Sequence, residues 1–114
     1  MASNNYSMTI EQGSTFNLSL VIKDSANVPL DLSGYSARMQ IRPTTGSALL
    51  VLEVASDNLS IIPSAGMVNI KIPASITATL PPSINSYDLE LTSPTGDVMK
   101  VIKGKCRIEG EVTI

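Results

Sequence analysis

The stretch YDLELTSPTGDVMKVIKGKCRIE (Tyr87–Glu109) decides the fold of this 114-residue chain. Its first arm alternates Tyr87, Leu89 and Leu91 with polar residues, and such period-two alternation is typical of a β-strand with one buried face. The central PTGD has proline early and glycine late, the order that a tight turn prefers. Residues 98–108 then return as a second strand. The stretch therefore predicts a β-hairpin, and its second arm is basic.

The same alternation recurs upstream of the hairpin. Apolar residues at every second position predict one strand over Phe16–Ile22 and another over Tyr35–Arg42. Shorter strands are predicted over 48–54, Leu59–Ile62 and Val68–Ile72, because clusters containing proline, glycine, asparagine and serine separate them. Seven or eight short strands with frequent turns are typical of an all-β fold, an antiparallel β-sandwich with Ig-like or jelly-roll-like connections.

One segment, PASITATLPP (Pro73–Pro82), breaks the alternation. Ile76 and Leu80 are four residues apart, which is the spacing of two side chains on the same face of a helix. Ser75 is a candidate N-cap, and the double proline ends the helix. We therefore predict one short helical turn near residues 74–80 that packs against an open end of the sandwich.

Length and composition indicate a single domain. Hydrophobic residues make up 43% and charged residues 16% of the chain, as in globular proteins. The core must be aliphatic, because the chain has one phenylalanine, three tyrosines and no tryptophan. We predict a single β-sandwich domain over residues 7–114 and a flexible, polar N-terminal arm over residues 1–6.

The charge balance and hydropathy argue against two classes of partner. The net charge is −2 and the pI is about 4.9, which gives no general attraction to nucleic acid or to an anionic membrane. No apolar run approaches the roughly 20 residues that a membrane-spanning helix needs. The first residues have neither the basic nor the apolar region of a signal peptide, so we expect synthesis in a cytoplasm.

Residues suited to catalysis are scarce. The chain has no histidine, which argues against the usual serine or cysteine triads and removes the commonest zinc ligand. The single cysteine, Cys106, lies in an alternating strand and is predicted to be a buried, unreactive thiol. Asp88 and Glu90 are interpreted as part of a solvated strand face, and the loop between Asp24 and Asp31 lacks the EF-hand calcium pattern. We predict no metal, no cofactor and no catalysis; a hydrolase that uses only carboxylates is the enzymatic alternative.

The basic second arm of the hairpin is the most prominent charge feature. An eight-residue part of this arm holds four of the eight basic residues of the chain: Lys100, Lys103, Lys105 and Arg107. The last three share one strand face. Asp88 and Glu90 on the first arm are candidate cross-strand partners, worth roughly 0.2–1 kcal/mol each. The alternative is that the basic residues dock an acidic surface of another protein.

The Tyr35–Arg42 strand carries a second set of polar side chains on its solvent face. Its two arginines suit an interface, because guanidinium groups pair bidentately with carboxylates. The candidate partner-binding residues are therefore Arg38, Gln40, Arg42, Lys103, Lys105 and Arg107.

Three stretches carry a family resemblance when they are taken together. They are MTIEQGSTFNLSLVIKD (Met8–Asp24), PLDLSGYSARMQIRPTTGS (Pro29–Ser47) and YDLELTSPTGDVMKVIKGKCRIEGEVT (Tyr87–Thr113). In order and spacing they resemble a family of small virion structural proteins of tailed bacteriophages. The layout is also similar to the N-terminal β-sandwich domain of phage upper baseplate proteins.

The resemblance implies a non-catalytic module that binds other virion proteins, is made in the cytoplasm of the host bacterium and is present in many copies or as a homo-oligomer. A tail or baseplate adaptor is the first interpretation, and a capsid decoration protein that staples major capsid subunits is the alternative. A carbohydrate-binding module is a more remote alternative, because few aromatic side chains are available to stack on sugars: Tyr6, Tyr35, Tyr87 and Phe16.

Overall fold

The computed structural model describes residues 4–44, 49–55 and 57–112. Within these ranges strands are the dominant secondary structure, as predicted. The strands are β1 (Asn4–Asn5), β2 (Met8–Glu11), β3 (Phe16–Val21), β4 (Ser36–Arg42), β5 (Leu52–Val54), β6 (Leu59–Ile62), β7 (Met67–Ile72), β8 (Ser83–Thr92) and β9 (Val98–Glu109). A 3₁₀ turn (Pro63–Ala65) precedes β7, and one short helix, α1 (Ala74–Thr77), follows it. The strand predicted over 48–54 is shorter in the structure, where it is β5, and residue 48 lies outside the described residues.

The strands form two sheets, which confirms the predicted sandwich. The larger sheet has six strands in the order β5-β4-β8-β9, with β1 and β2 both paired to the far edge of β9. The smaller sheet has three strands in the order β3-β7-β6. Most pairs are antiparallel, including the predicted β8–β9 hairpin. The exceptions are β1 and β2, which run parallel to β9.

The aliphatic core lies between the two sheets, because each strand directs every second side chain inward. Its fully buried members include Ile10, Met39, Ile41, Val68, Ile70, Ile72, Leu89 and Leu91. Burying one such side chain contributes roughly 1.5–3 kcal/mol, so this layer holds the sheets together. The opposite side of each sheet is left to solvent.

A β-bulge changes which residues of β9 face outward. The pairing of β8 with β9 shifts between Leu89 and Glu90, so that Glu90 lies opposite Lys100 and Val101 has no opposite residue. An extra residue in one strand reverses the alternation beyond it. Lys100 therefore joins Lys103 on the solvent side, although strict alternation would place these two residues on opposite sides.

The N-terminal residues are part of the sheet edge. The hydroxyl of Tyr87 donates a 2.6 Å hydrogen bond to the carbonyl oxygen of Tyr6. Gly104 permits this contact, since a Cβ atom at that position would overlap the carbonyl group of Tyr6. Residues 4–6 of the predicted N-terminal arm bond to β9 and Tyr87, and the flexibility of the arm stays a prediction. Residues 1–3 lie outside the described residues.

The predicted helical turn is present and shorter than expected, since α1 ends at Thr77. Ser75 does not cap it: the N-cap residue is Pro73, which makes no side-chain hydrogen bond. Leu80 is buried in the core as predicted, whereas Ile76 is only partly buried. The polar residue that ties this end together is the fully buried Thr77.

Two side chains fasten the corner between β2 and β3 to the rest of the sandwich. The Thr77 hydroxyl donates to the carbonyl oxygen of Ser14 at 2.7 Å. The side chain of Gln12 donates to the carbonyl oxygen of Leu80 at 3.0 Å and accepts from the amide of Glu111, also at 3.0 Å. The corner, α1 and the segment after β9 are therefore held as one unit.

Candidate docking surface

The predicted partner-binding residues all lie on the solvent side of the six-stranded sheet. We call this surface the outer face and define it by the outward-pointing residues of the sheet: Thr9, Glu11, Arg38, Gln40, Arg42, Glu53, Ile84, Ser86, Asp88, Glu90, Lys100, Lys103, Lys105, Arg107 and Glu109. Six of the eight basic residues of the chain are among them. The structure thus brings together two sets of residues that are about 60 positions apart in sequence.

Strand register arranges the outer face in rows that cross the sheet. In one row Gln40 on β4 lies opposite Asp88 on β8, and Asp88 lies opposite Lys103 on β9. The next row consists of Arg42, Ser86 and Lys105. Successive rows are about 7 Å apart, because two residues of a strand separate them.

One end of the outer face is neutralised by its own ion pairs. Glu90 accepts hydrogen bonds from Arg38 on one side, at 2.8 Å, and from Lys100 on the other. Lys100 also lies 3.4 Å from the carboxylate of Asp88, and Arg38 lies 3.7 Å from that of Glu53. These contacts, led by the bond from Lys100, hold the pKa of Glu90 below its usual range and raise the pKa of Lys100. The residue of the basic arm that pairs with Asp88 and Glu90 is therefore Lys100.

The lysines farther along β9 have no such partners. Among the described residues, no carboxylate lies within ion-pair distance of Lys103 or Lys105. The Lys105 ammonium group is 3.3 Å from the hydroxyl of Ser86, a neutral acceptor. This part of the outer face therefore presents uncompensated positive charge.

An exposed apolar side chain lies beside the basic region. Ile84 is 68% exposed on the outer face and lies opposite Arg107. A shallow depression of about 390 Å³ adjoins it and is lined by Pro82, Ile84, Arg107, Glu109 and Gly110, among others. Sequence reasoning missed Ile84, because it began the strand at Tyr87 and not at Ser83. The even-numbered spacing of Ile84 from Asp88 and Glu90 was the available signal.

Beyond Ile84 the outer face becomes acidic. Glu11 on β2 lies directly opposite Glu109 on β9 in the parallel register. The Glu111 carboxylate is close by, against Gly13. Only one basic group, the guanidinium of Arg107, contacts Glu109 within the described part of the chain, at 3.6 Å. The outer face is therefore basic on the side of Ile84 that holds Lys103 and Lys105, and acidic on the side that holds Glu11 and Glu109.

The solvent side of the three-stranded sheet is different in character. It holds a groove of about 490 Å³ whose lining is rich in amide and hydroxyl side chains. Ser19 donates a 2.7 Å hydrogen bond to Asn69 within it. The residues that line this groove include no aromatic side chain, and sugar-binding grooves generally rely on aromatic stacking.

The remaining reactive groups do not form a site in the described ranges. No group of three or more histidine, cysteine, aspartate or glutamate side chains there is arranged to hold a metal ion. Cys106 is fully buried, as predicted, and burial raises the pKa of its thiol to about 12. The helices found in residues 4–44, 49–55 and 57–112 are too short and too polar to cross a membrane.

Comparison with known proteins gives no family assignment. No protein-family model matches the chain, and no curated protein matches it significantly. The resemblance to tailed-phage virion proteins therefore stays a prediction from the sequence.

Proposed function

We propose that this chain is a structural component of a tailed-phage virion, made in the bacterial host, which docks on larger virion proteins without performing catalysis. The observation that carries the proposal is the convergence of Arg38, Gln40, Arg42, Lys103, Lys105 and Arg107 on one outer face. The sequence resemblance is the reason for proposing a place in the virion. The outer face is the reason for proposing a protein partner.

The shape and chemistry of the outer face support protein binding. A sheet surface that carries charged rows together with two exposed aliphatic side chains, Ile84 and Val98, combines polar and apolar groups, as protein interfaces do. Arg38 and Glu90 hold each other at 2.8 Å, so that part of the surface is already ordered before a partner arrives. Ordering in advance reduces the entropy that is lost on binding.

A non-catalytic role is supported by the state of the ionisable side chains. Glu90, one of the candidate carboxylates, accepts bonds from two cations, which keeps it ionised and unsuited to act as a general acid. The Cys106 thiol is shielded from solvent and its pKa of about 12 keeps it protonated at neutral pH.

Within the virion, we favour a tail or baseplate adaptor over a capsid decoration protein. Imaging of the phage particle by electron cryo-microscopy tests the proposal and separates these locations. Copies in small multiples at one vertex identify a tail or baseplate adaptor, and copies over the whole icosahedral shell identify a decoration protein. Absence of the chain from the particle contradicts the proposal, and glycan binding is then the next function to test.

A matched pair of variants tests the surface itself. Lys103→Glu reverses a charge on the outer face that has no ion-pair partner among the described residues, whereas Lys71→Glu reverses an exposed charge on the three-stranded sheet. We expect Lys103→Glu to reduce incorporation into particles and Lys71→Glu to leave it unchanged. Equal incorporation of the two variants would show that another surface docks.

A further inference from the structure

We infer that β3, an edge strand of the three-stranded sheet, pairs with β3 of a second copy of the chain. The two strands run antiparallel about a two-fold axis at Leu18, so that the three-stranded sheets of the two copies join into one continuous sheet. The inference is independent of the proposed function, because the outer face lies on the other sheet.

One side of the β3 backbone carries hydrogen-bonding groups that the described part of the chain does not use. Directly after β3, the amide of Ile22 donates to the carbonyl oxygen of Gly66 at 2.7 Å, on the side of β7. Backbone groups of successive residues in a strand point to opposite sides, so the even-numbered residues of β3 bond to β7 and the odd-numbered residues point away from it. Three residues therefore direct their amide and carbonyl groups along the free edge: Asn17, Ser19 and Val21.

β3 lacks the features that usually keep an edge strand from pairing. Natural edge strands are short, or they carry a charge, a proline or a bulge. Residues 15–22 contain no charged residue and no proline, and β3 pairs with β7 in unbroken register over six residues. The other edges within the described ranges are protected: β2 has four residues and contains Glu11, β5 has three and contains Glu53, and β6 has four and is followed by Pro63.

The side chains of β3 that point into the sandwich are only partly covered. Phe16, Leu18 and Leu20 pack against the core but stay partly exposed, whereas the residues of β7 directly opposite them are fully buried. A strand added to the free edge would lie about 4.8 Å from β3 and would cover these three side chains. The added strand must therefore be apolar on the same side.

β3 itself meets this requirement. In an antiparallel pair centred on Leu18, this residue lies opposite Leu18 of the second copy, and Phe16 lies opposite Leu20. On the solvent side Asn17 lies opposite Ser19, and both have their backbone groups on the free edge, so each such pair exchanges two hydrogen bonds. One register thus matches apolar with apolar side chains, polar with polar side chains and donors with acceptors, and the symmetry repeats each contact.

The small size of the edge predicts a weak dimer. β3 has six residues and is therefore about 20 Å long, and a strand with its side chains is about 10 Å thick. The product is on the order of 200 Å² per copy, well below the roughly 800 Å² of standard interfaces and typical of weak association. We expect a Kd on the order of 100 μM.

Sedimentation equilibrium of the full chain, from about 10 μM to about 1 mM, tests the inference. We expect a concentration-dependent dimer whose Kd Ser19→Pro weakens by about tenfold or more, because proline removes the Ser19 amide donor from the free edge. The variant keeps its pairing with β7, since that amide points away from β7 and proline is tolerated at such edge positions. Ser19→Ala is the matched control: it also loses the hydroxyl bond to Asn69 but keeps the amide, and it should leave the Kd unchanged.

A Leu18→Cys variant gives a second readout that does not depend on the folding of Ser19→Pro. The axis places the two copies of residue 18 in a non-hydrogen-bonded pair with Cα atoms about 4.5 Å apart, which a disulfide can span. Mild oxidation should therefore yield a linked dimer, and the buried Cys106 does not compete for it. Ile61→Cys is the control, because Ile61 is also partly buried but lies on β6, at the opposite edge of the same sheet.

Three results would overturn the inference. They are a chain that stays monomeric at about 1 mM, a dimer that a folded Ser19→Pro leaves unchanged, and linkage of Ile61→Cys as fast as that of Leu18→Cys. Particle imaging separates this inference from the proposed function. A monomeric chain found on the virion retains the proposed function, and a dimer found on no virion retains only the pairing of β3.

Discussion

The hydroxyl of Tyr87 on β8 reaches past β9 and donates a 2.6 Å hydrogen bond to the carbonyl oxygen of Tyr6, 81 residues earlier in the chain. The Tyr6 amide completes the attachment by donating to the carbonyl oxygen of Lys103 at 2.9 Å. Tyr87 is 4% exposed, and burial raises the pKa of its hydroxyl, which therefore stays a donor at every physiological pH. The Tyr87 bond therefore adds a link from the N-terminal segment to β8, the central strand of the larger sheet, beside the backbone pairing with β9.

Tyr87→Phe tests that attachment. The substitution keeps the buried ring and removes only the hydroxyl, which leaves the Tyr6 carbonyl group short of a partner. We expect a loss of about 1–3 kcal/mol in the free energy of unfolding, measured by urea denaturation. Hydrogen exchange of the Tyr6 amide should become faster at the same time. Tyr35→Phe is the matched control and should change the free energy by less than about 0.5 kcal/mol.

Unchanged exchange at the Tyr6 amide in Tyr87→Phe would show that β1 is held by its backbone pairing with β9 alone. A loss of stability in Tyr35→Phe as large as that in Tyr87→Phe would show that removing any tyrosine hydroxyl has this effect.

Thr77→Val tests the fastening at the other end of the sandwich. The Thr77 hydroxyl donates to the carbonyl oxygen of Ser14 and accepts from the amide of Gly13 at 3.1 Å, and valine preserves its shape while losing both bonds. Two partly buried backbone groups then lack these partners, which we expect to cost about 1–3 kcal/mol in thermal or urea unfolding. Thr79→Val changes an exposed residue two positions away and should have little effect. If the two variants are equally stable, the corner is held by the Gln12 side chain instead.

Local patterning predicts most of the sheets and fails where distant parts of the chain meet. The hairpin of β8 and β9 is visible because Leu89 and Leu91 alternate with acidic residues and a turn follows directly. The parallel pairing of β2 with β9 has no local signal, since the two strands are nearly 100 residues apart and alternation is the same for either strand direction.

The bulge in β9 and the role of Thr77 are missed for related reasons. Strict alternation would place Lys100 on the side opposite Lys103, although the adjacent apolar residues Val101 and Ile102 mark the position where the alternation breaks. The helical spacing of Ile76 and Leu80 predicts packing by these two residues and carries no information about Thr77. A threonine in a short helix carries no sign in the sequence that its hydroxyl will bond a strand corner more than 60 residues away.

The six candidate docking residues were predicted from two separate strands, and their joint placement depends on tertiary structure. β4 and β9 are not neighbours, so the strand between them sets the distance from Arg42 to Lys105. Register with β8 aligns both residues on Ser86. No spacing within a single strand contains that information.

The ion pairs of Glu90 predict a dependence of stability on pH. Hydrogen bonds from Lys100 and Arg38 lower the pKa of Glu90 in the folded state. Its contribution is therefore complete above its unfolded pKa of roughly 4.3 and is lost as the pH falls through the lower folded value. Because the ion pairs are near the surface, we expect them to contribute less than about 1 kcal/mol to the free energy of unfolding. The measurement is the change in the free energy of unfolding between pH 7 and pH 3.5, which should be smaller in Glu90→Gln than in the parent chain.

Asp57→Asn is the control for that experiment, because this exposed carboxylate makes no ion pair within the described residues. It should leave the pH profile unchanged. A Glu90→Gln profile that coincides with that of the parent chain would contradict the assignment of Glu90 as a stabilising ion-pair partner.

Cys106 provides a probe of global opening. The thiol is fully buried against Met8 across the β2–β9 pair, and burial raises its pKa to about 12. We expect no reaction with a thiol reagent at pH 8 in the folded protein and full reaction in denaturant, since only the unfolded state exposes a thiolate. The labelling rate under native conditions should follow the global unfolding free energy, and it should rise in Thr77→Val. Rapid labelling of the parent chain without denaturant would mean that β2 detaches from β9 by local opening.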